Sequence, residues 1–301
     1  MNQRGIVALS GAGGFLGSEL QRFLMLSGYE IWPMVRHRSS SEREIYYDYH
    51  DGTIDSHKLA QCTAVIHLAG KNLMSGLFSK KNRQEIYDSR VKSTRLIAHT
   101  LAELKDGPRV MLVASAVGIY GDRADQKLDE DSGPGDGFLA KLCIDWERGC
   151  LFAKKAGLRV VNMRFGVVLD PSGGMLKTIC PMFKRGLGAM VGHRDGYISY
   201  VTRHQLMQQI MFVLERKDMS GPINMVAKEP VTSLEFYQAL AQAYQKRLFI
   251  RVPPWLIKML GPSSELFLTS TRAYPRVLMD EGFLFNSHDD IKGVLKRLLF
   301  S

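Results

Sequence analysis

An apolar strand that runs into three glycines spaced three apart, and from there straight into a helix, limits what this chain can fold into more than any other feature. The run is Gly5-Ile6-Val7-Ala8-Leu9-Ser10-Gly11-Ala12-Gly13-Gly14-Phe15-Leu16-Gly17. In the Gly-x-x-Gly-x-x-Gly spacing, Gly11 allows the tight turn, Gly14 lets the backbone approach a pyrophosphate, and Gly17 lets the helix pack closely on the strand. The N–H groups at the helix start, with Phe15 and Leu16, then face the anion. Leu16, Leu20, Phe23 and Leu24 recur at helical spacing, Gly28 supplies a stop, and Glu30-Ile31-Trp32-Pro33-Met34-Val35-Arg36 reads as a second strand. A complete β-α-β unit at the start of the chain predicts dinucleotide binding.

The residues at the end of the second strand decide which dinucleotide. Sites for NAD place an acid about 20 residues beyond the glycines to bond the ribose 2′-hydroxyl, whereas a 2′-phosphate needs a cation. Here the strand ends in Arg36-His37-Arg38, with no acid between Glu30 and Glu42. The expected cofactor is NADP(H), with Arg36 forking onto the 2′-phosphate or stacking on the adenine and His37 beside it.

A chain of 301 residues with 45% hydrophobic content can bury a nucleotide domain and a smaller lobe. The four cysteines, at 62, 143, 150 and 180, form no CxxC pair and have no His at metal spacing, so neither a metal site nor a disulfide framework is expected. The first apolar run holds four glycines after Ser10 and has no cleavage pattern after it, which argues against a signal peptide. No segment reaches the roughly 20 apolar residues of a spanning helix. The expectation is a soluble, cytoplasmic protein that takes a small-molecule substrate, binds neither membrane nor nucleic acid, and has room to form a homodimer. The net charge of +10 is spread along the chain, and clusters such as Lys80-Lys81-Asn82-Arg83 and Lys296-Arg297 fall on predicted helices. A basic surface that attracts an anionic cofactor suffices to explain it.

Further strands are legible at 45–49, 64–68, 110–114 and 160–165, separated by helices near 79–105 and 138–156. Such alternation predicts an α/β fold, a Rossmann-type doubly wound parallel sheet with a smaller C-terminal α+β lobe. The strand ends Leu68-Ala69-Gly70, Ser115-Ala116 and Phe165-Gly166 then lie at the carboxyl edge, where ligands bind. The expected division is a nucleotide domain over 1–170, with part of 196–226 returning to it, and a substrate lobe over 171–301. In that lobe Thr232-Ser233-Leu234-Glu235 reads as a capping box, Ser287-His288-Asp289-Asp290 opens the last helix, and Pro253-Pro254 and Gly261-Pro262 bracket an apolar helix carrying Trp255.

Together, Gly11–Gly17, His67-Leu68-Ala69-Gly70, Ser115 to Gly121 and Arg164 to Leu169 resemble the extended or atypical short-chain dehydrogenase/reductase superfamily. Ser89-Arg90, Phe138 to Glu147 and Gly221 to Val226 look more narrowly like its epimerase-like subfamily. That subfamily ends in a small domain of unknown function, matched by Arg251-Val252-Pro253, Arg272-Ala273-Tyr274-Pro275 and Glu281-Gly282-Phe283 and expected over 247–297. The resemblance spans essentially the whole chain. It implies an NADP-binding fold with Leu68, Ala69, Gly70, Ser115 and Phe165 near the cofactor, and an oxidoreductase or epimerase-like activity on an unassigned substrate.

The chemistry departs from that pattern. The superfamily works with Tyr-x-x-x-Lys on one helical face, the lysine lowering the pKa of a phenol that gives or takes a proton. None of the eleven tyrosines here has a lysine four residues later. Phe138 or Gly137 stands where the tyrosine belongs. Ser115 is a remnant of the family's reactive serine, unless anchoring on Tyr120-Gly121 puts Ala116 there, and a hydroxyl that only bonds cofactor or backbone is the plainer role for it. Tyr120, Lys141 and Arg90 are candidate replacement acids, set against an aromatic cap for Tyr120 and a solvated surface side chain for Lys141. In the second lobe Tyr200 and Thr202 replace the subfamily's usual tryptophan and histidine. A binding protein that holds NADP(H) as a regulator or redox sensor with little turnover is the alternative reading, and a structural partner in cell division a third.

Overall fold

A computed structural model describes residues 4–38, 40–73, 79–248, 250–252, 265–285 and 290–300. The predicted helix between Pro253 and Pro262, the residue Pro253 of the terminal-domain motif, and Ser287-His288-Asp289 lie outside the described residues. An eight-stranded sheet carries the fold. Its strands are β1 (Ile6–Ser10), β2 (Glu30–Val35), β3 (Ile45–Asp48), β4 (Thr53–Ile54), β5 (Ala64–His67), β6 (Val110–Ala116), β7 (Arg159–Phe165) and β8 (Gly221–Met225). They are ordered β8-β7-β6-β5-β1-β2-β3-β4. The β1–β2, β1–β5, β2–β3 and β5–β6 pairs are parallel, and β3–β4 is antiparallel.

Helices fill the crossovers. They are α1 (Gly17–Leu26), α2 (Ser56–Ala60), α3 (Lys80–Glu103), α4 (Phe138–Arg148) and α5 (Leu151–Lys155), then α6 (Gly174–Lys184), α7 (Arg203–Glu215) and α8 (Ser233–Ala243). The expected helix near 138–156 is thus two helices that break at Gly149-Cys150. From β1 the chain builds outward through β2 to β4, then returns to the other side of β1 with β5. The strand order therefore reverses between β1 and β5, and a crevice opens at the carboxyl ends of these two strands.

The sequence dictates this sheet because its strands are apolar on both faces. Val7, Ala8 and Leu9, Val65 and Ile66, and Met111 and Leu112 are all fully buried, as parallel strands covered by helices require. In α1 the buried residues Gly17, Leu20 and Leu24 form the inward stripe. The capping box predicted at Thr232 is present: its hydroxyl accepts from the Glu235 N–H while the Glu235 carboxylate accepts from the Thr232 N–H.

The chain forms two compact units. The first comprises 1–115, 142–163 and 210–222, and the second comprises 116–141, 164–209 and 223–301. The second has its own core, in which Leu169, Leu176, Phe183, Tyr200, Phe236, Leu240, Ile291 and Leu295 are buried. Among the described residues, no helix is long and apolar enough to cross a membrane and no group of His, Cys, Asp or Glu could hold a metal ion.

Candidate functional site

The crevice at the reversal is a cavity of about 730 Å³ within the first unit. Gly11, Ala12 and Gly13 form one wall and Ala69, Gly70 and Lys71 another. Pro33 to Arg36 with Tyr47, Tyr49 and His50 form the β2–β3 side, and Glu85, Asp88 and Ser89 of α3 complete the lining. The loop after β1, the loop after β5 and the end of β2 thus meet in one space. Of the predicted cofactor residues, Gly11, Arg36, Ala69 and Gly70 line it, while Gly14, Phe15, Leu16, Gly17, His37, Leu68, Ser115 and Phe165 do not.

The glycines are required sterically. Gly11 sits at φ +74°, and Gly14 donates its N–H to the Gly11 carbonyl at 2.9 Å, closing the turn. A Cβ on Gly17 would stand 2.0 Å from that same carbonyl oxygen, so only glycine lets the helix start this close to the strand. Regular helix begins at Gly17 rather than Phe15, although helical bonding already starts with Ser18 N–H to the Gly14 carbonyl at 3.0 Å.

Beneath the turn lies a line of buried polar side chains. Ser10 and His67 are partners in the β1–β5 register, and the Ser10 hydroxyl meets His67 Nδ1 at 2.5 Å. His67 Nε2 meets the Ser93 hydroxyl of α3 at 2.9 Å. Burial, with the Arg90 cation adding to it, pushes the His67 pKa down to about 3.

At the β2 end Arg36 is exposed and lines the cavity, whereas His37 turns toward Glu44, 3.9 Å from its carboxylate. Arg38 lies over the Tyr46 ring at 5.5 Å. The acids in the cavity wall come from α3 instead of β2: Glu85 is ion-paired with Lys71, and Asp88 with Lys92 at 2.8 Å. Tyr47, buried beside Arg36, has its phenol pushed up to about 12 by burial. Tyr49, His50, Lys71, Glu85 and Asp88 were missed by sequence reasoning. The strand at 45–49 carried the signal for the first two, because its end falls on the same carboxyl edge.

The proton-transfer candidates are placed differently. Ser115, 2% exposed at the end of β6, donates its hydroxyl to the Glu147 carboxylate of α4 at 2.8 Å. Tyr120 is fully buried in the second unit. Its oxygen lies 2.8 Å from both the Asp129 carbonyl and Asn224 Oδ1, and receives the Arg164 guanidinium at 3.0 Å. Burial pushes its pKa up to about 12. Lys141 is an exposed side chain on α4. Arg90 is buried, donates to the Lys71 and Ile86 carbonyls, lies over the Trp146 ring at 5.2 Å, and has its pKa pushed down to about 10 by burial.

Gly137 and Phe138, the two positions at which a tyrosine was expected, lie at the start of α4. Gly137 has φ +102°, and the Glu265 carboxylate accepts the N–H groups of Phe138 and Leu139 at 3.1 and 3.0 Å. An acid thus caps the start of α4, which favours negative charge. A Cβ on Gly137 would meet that carboxylate at 3.0–3.1 Å. The positive φ suits glycine, and the helix start is closed by a side chain 127 residues beyond Phe138.

In the second unit, Tyr200 and Thr202 line a separate cavity of about 590 Å³ with Lys228, Glu235 and Asp290. Thr202 caps α7 by accepting the Gln205 N–H at 3.1 Å, and Arg203 pairs with Asp170 at 2.9 Å.

Comparison with known proteins accords with this geometry. Residues 7–186 match the NAD dependent epimerase/dehydratase family. The epimerase family protein Mb2239 of Mycobacterium bovis is 34% identical over 283 residues, 93% of each chain. The epimerase family protein YfhF of Bacillus subtilis is 30% identical over 298 residues, 97% of each. Among solved structures, the human epimerase family protein SDR39U1, determined with NADPH, superposes with a TM-score of 0.86 at 24% identity, covering 97% of this chain and 98% of that one. A nucleoside-diphosphate sugar epimerase from Corynebacterium glutamicum gives 0.79 at 29% identity, covering 98% of this chain and 58% of that one.

Proposed function

The chain belongs to the NAD-dependent epimerase/dehydratase family, and from that premise we propose that it binds NADP(H) in the cavity of its first unit and acts on a small polar substrate as an oxidoreductase or epimerase-like enzyme. The observation that carries the cofactor is the pairing, in one cavity, of the glycine turn that starts at Gly11, held at φ +74°, with Arg36 at the end of β2. The turn that starts at Gly11 would hold the pyrophosphate, and Arg36 would pair with the 2′-phosphate or stack on the adenine. When bound, the nicotinamide supplies a hydride donor or acceptor. The presence of NADPH in the human neighbour's structure supports the same choice. The second unit supplies the substrate-binding surface in this reading.

Calorimetric titration with NADPH and NADH tests the proposal. NADPH is expected to bind about tenfold or more tightly, a preference that Arg36→Asp removes or reverses. Equal affinities in the wild type would sink the 2′-phosphate assignment.

One observation favours a second reading, an NADP(H)-holding sensor with little turnover. The hydroxyls of Ser115 and Tyr120 are both bonded to protein partners, and a phenol at about 12 is a poor proton relay near neutrality. Loss of labelled hydride from bound NADPH across a library of carbonyl compounds would support the enzyme. Tight binding with no transfer would support the sensor.

A further inference from the structure

Three polar side chains occupy the driest part of the first unit, where a parallel sheet ordinarily carries only Val, Ile or Leu. Ser10, His67 and Ser93 are each 0% exposed. Burying them is costly unless their donors and acceptors are matched, and here each finds protein partners. Leu68 and Ala69 both donate their N–H groups to the Ser10 oxygen, at 3.1 and 3.2 Å. The one hydroxyl proton of Ser10 then goes to His67 Nδ1, at 2.5 Å, rather than to the Tyr47 phenol that also faces this hydroxyl. That nitrogen must carry a lone pair, so the ring proton sits on Nε2 and is donated to Ser93. The Ser93 hydroxyl in turn donates to the Ser89 carbonyl at 2.6 Å.

We infer that His67 is a positioning residue for the dinucleotide: its neutral Nε2–H imidazole holds Ser10, and through Ser10 the backbone of Leu68 and Ala69, at the height from which the loop after β5 faces the cavity. The inference rests on the cofactor reading above and deepens it. Ser10 immediately precedes Gly11, and Ala69 and Ser89 both line the cavity, so the line of hydrogen bonds runs under the floor and ties two of its walls together. A doubly protonated ring would set a proton on Nδ1 against the Ser10 hydroxyl proton across the 2.5 Å contact, which is the geometric reason the ring stays neutral. The low pKa of His67 agrees with this. The groups facing the ring are Ser10 from β1, Ser93 from α3 and the Arg90 cation of α3.

The test uses the whole chain and NADPH as the probe. In protein labelled with 15N at histidine, His67 is expected to show an unprotonated Nδ1 and a protonated Nε2, unchanged between pH 5 and pH 8. Three variants then separate positioning from packing. His67→Phe fills the space without either bond, His67→Asn places an acceptor near Nδ1, and His67→Gln places a donor near Nε2. Positioning predicts NADPH affinity about tenfold lower for His67→Phe, with His67→Asn recovering more of it than His67→Gln, because the Ser10 bond is the one that reaches the loop. Should His67→Phe fail to unfold cooperatively, the order of the Asn and Gln variants decides the matter. Equal affinities for all folded variants, or a proton found on Nδ1, would overturn the inference. A wild type that binds neither NADPH nor NADH would instead overturn the cofactor reading, while the NMR result would still report the tautomer.

Discussion

Two buried polar networks, one in each unit, put a histidine and a tyrosine to opposite use. Under the glycine turn, Ser10, His67 and Ser93 satisfy one another completely and leave the backbone above them facing a cavity. Around Tyr120 the network closes on itself: Asp129, Asn224 and Arg164 surround the phenol oxygen of a fully buried ring. That second network is also less complete. Glu130, 6% exposed, accepts the Asn224 N–H at 3.0 Å through Oε1, while its Oε2 is buried without a hydrogen-bond partner and its pKa is raised, chiefly by burial. A fully satisfied network can serve as a rigid floor for a ligand, whereas one that absorbs its own reactive group serves the fold.

Four measurements sharpen or break this contrast. The largest effect is expected from Gly17→Val, which drives Cβ into the Gly11 carbonyl and displaces α1 from β1. It should cost about 3 kcal/mol in urea unfolding and abolish NADPH binding, and full affinity in this variant would mean that the turn holds no phosphate. Next comes Gly137→Tyr, which rebuilds the family's Tyr-x-x-x-Lys pair with Lys141. At φ +102°, against the Glu265 carboxylate, it should lose about 2 kcal/mol and gain no turnover. A rise in hydride transfer would show that only the missing tyrosine limits the chemistry.

Tyr120→Phe leaves Arg164 and Asn224 short of a partner and should cost about 1–2 kcal/mol of stability. Any hydride transfer seen in the wild type is expected to persist, since the phenol is buried and already bonded to Asp129, Asn224 and Arg164. A selective fall in kcat with unchanged stability would reverse the contrast and make Tyr120 the acid. The fourth measurement concerns pH dependence. The folded pKa of His67, about 3, lies below its unfolded value near 6.5, so the unfolded chain binds more protons as pH falls through that window. Stability is therefore complete above about pH 6.5. Below it, stability declines by up to about 1.4 kcal/mol per pH unit from this group, a slope that His67→Asn should remove.

Much of this was legible in the residues. Gly11, Gly14 and Gly17 announce the turn because their spacing reflects a steric demand that acts over seven residues. The apolar runs at 6–9, 64–66 and 110–113 announce a sheet covered on both faces. Arg36 was legible for a similar reason, because strand ends can be counted from the glycines. The acid/base assignments were not. Nothing local to Ser115 indicates that Glu147 takes its proton, and nothing near Gly137 indicates that Glu265 closes the helix start above it. Tyr120 carries no local sign that Asn224 and Arg164 converge on it.

By itself the sequence determined the doubly wound sheet, the glycine turn and the cation at the end of β2, because each arises from periodicity or steric limits within a few neighbouring residues, and its motifs carried the resemblance to the family. Only the tertiary structure decided which polar side chains remain available for chemistry. A hydroxyl or an imidazole reacts according to its burial and its hydrogen-bond partners, and here those partners include Ser93 for His67, Glu147 for Ser115 and Asn224 for Tyr120, which lie 26, 32 and 104 residues away along the chain.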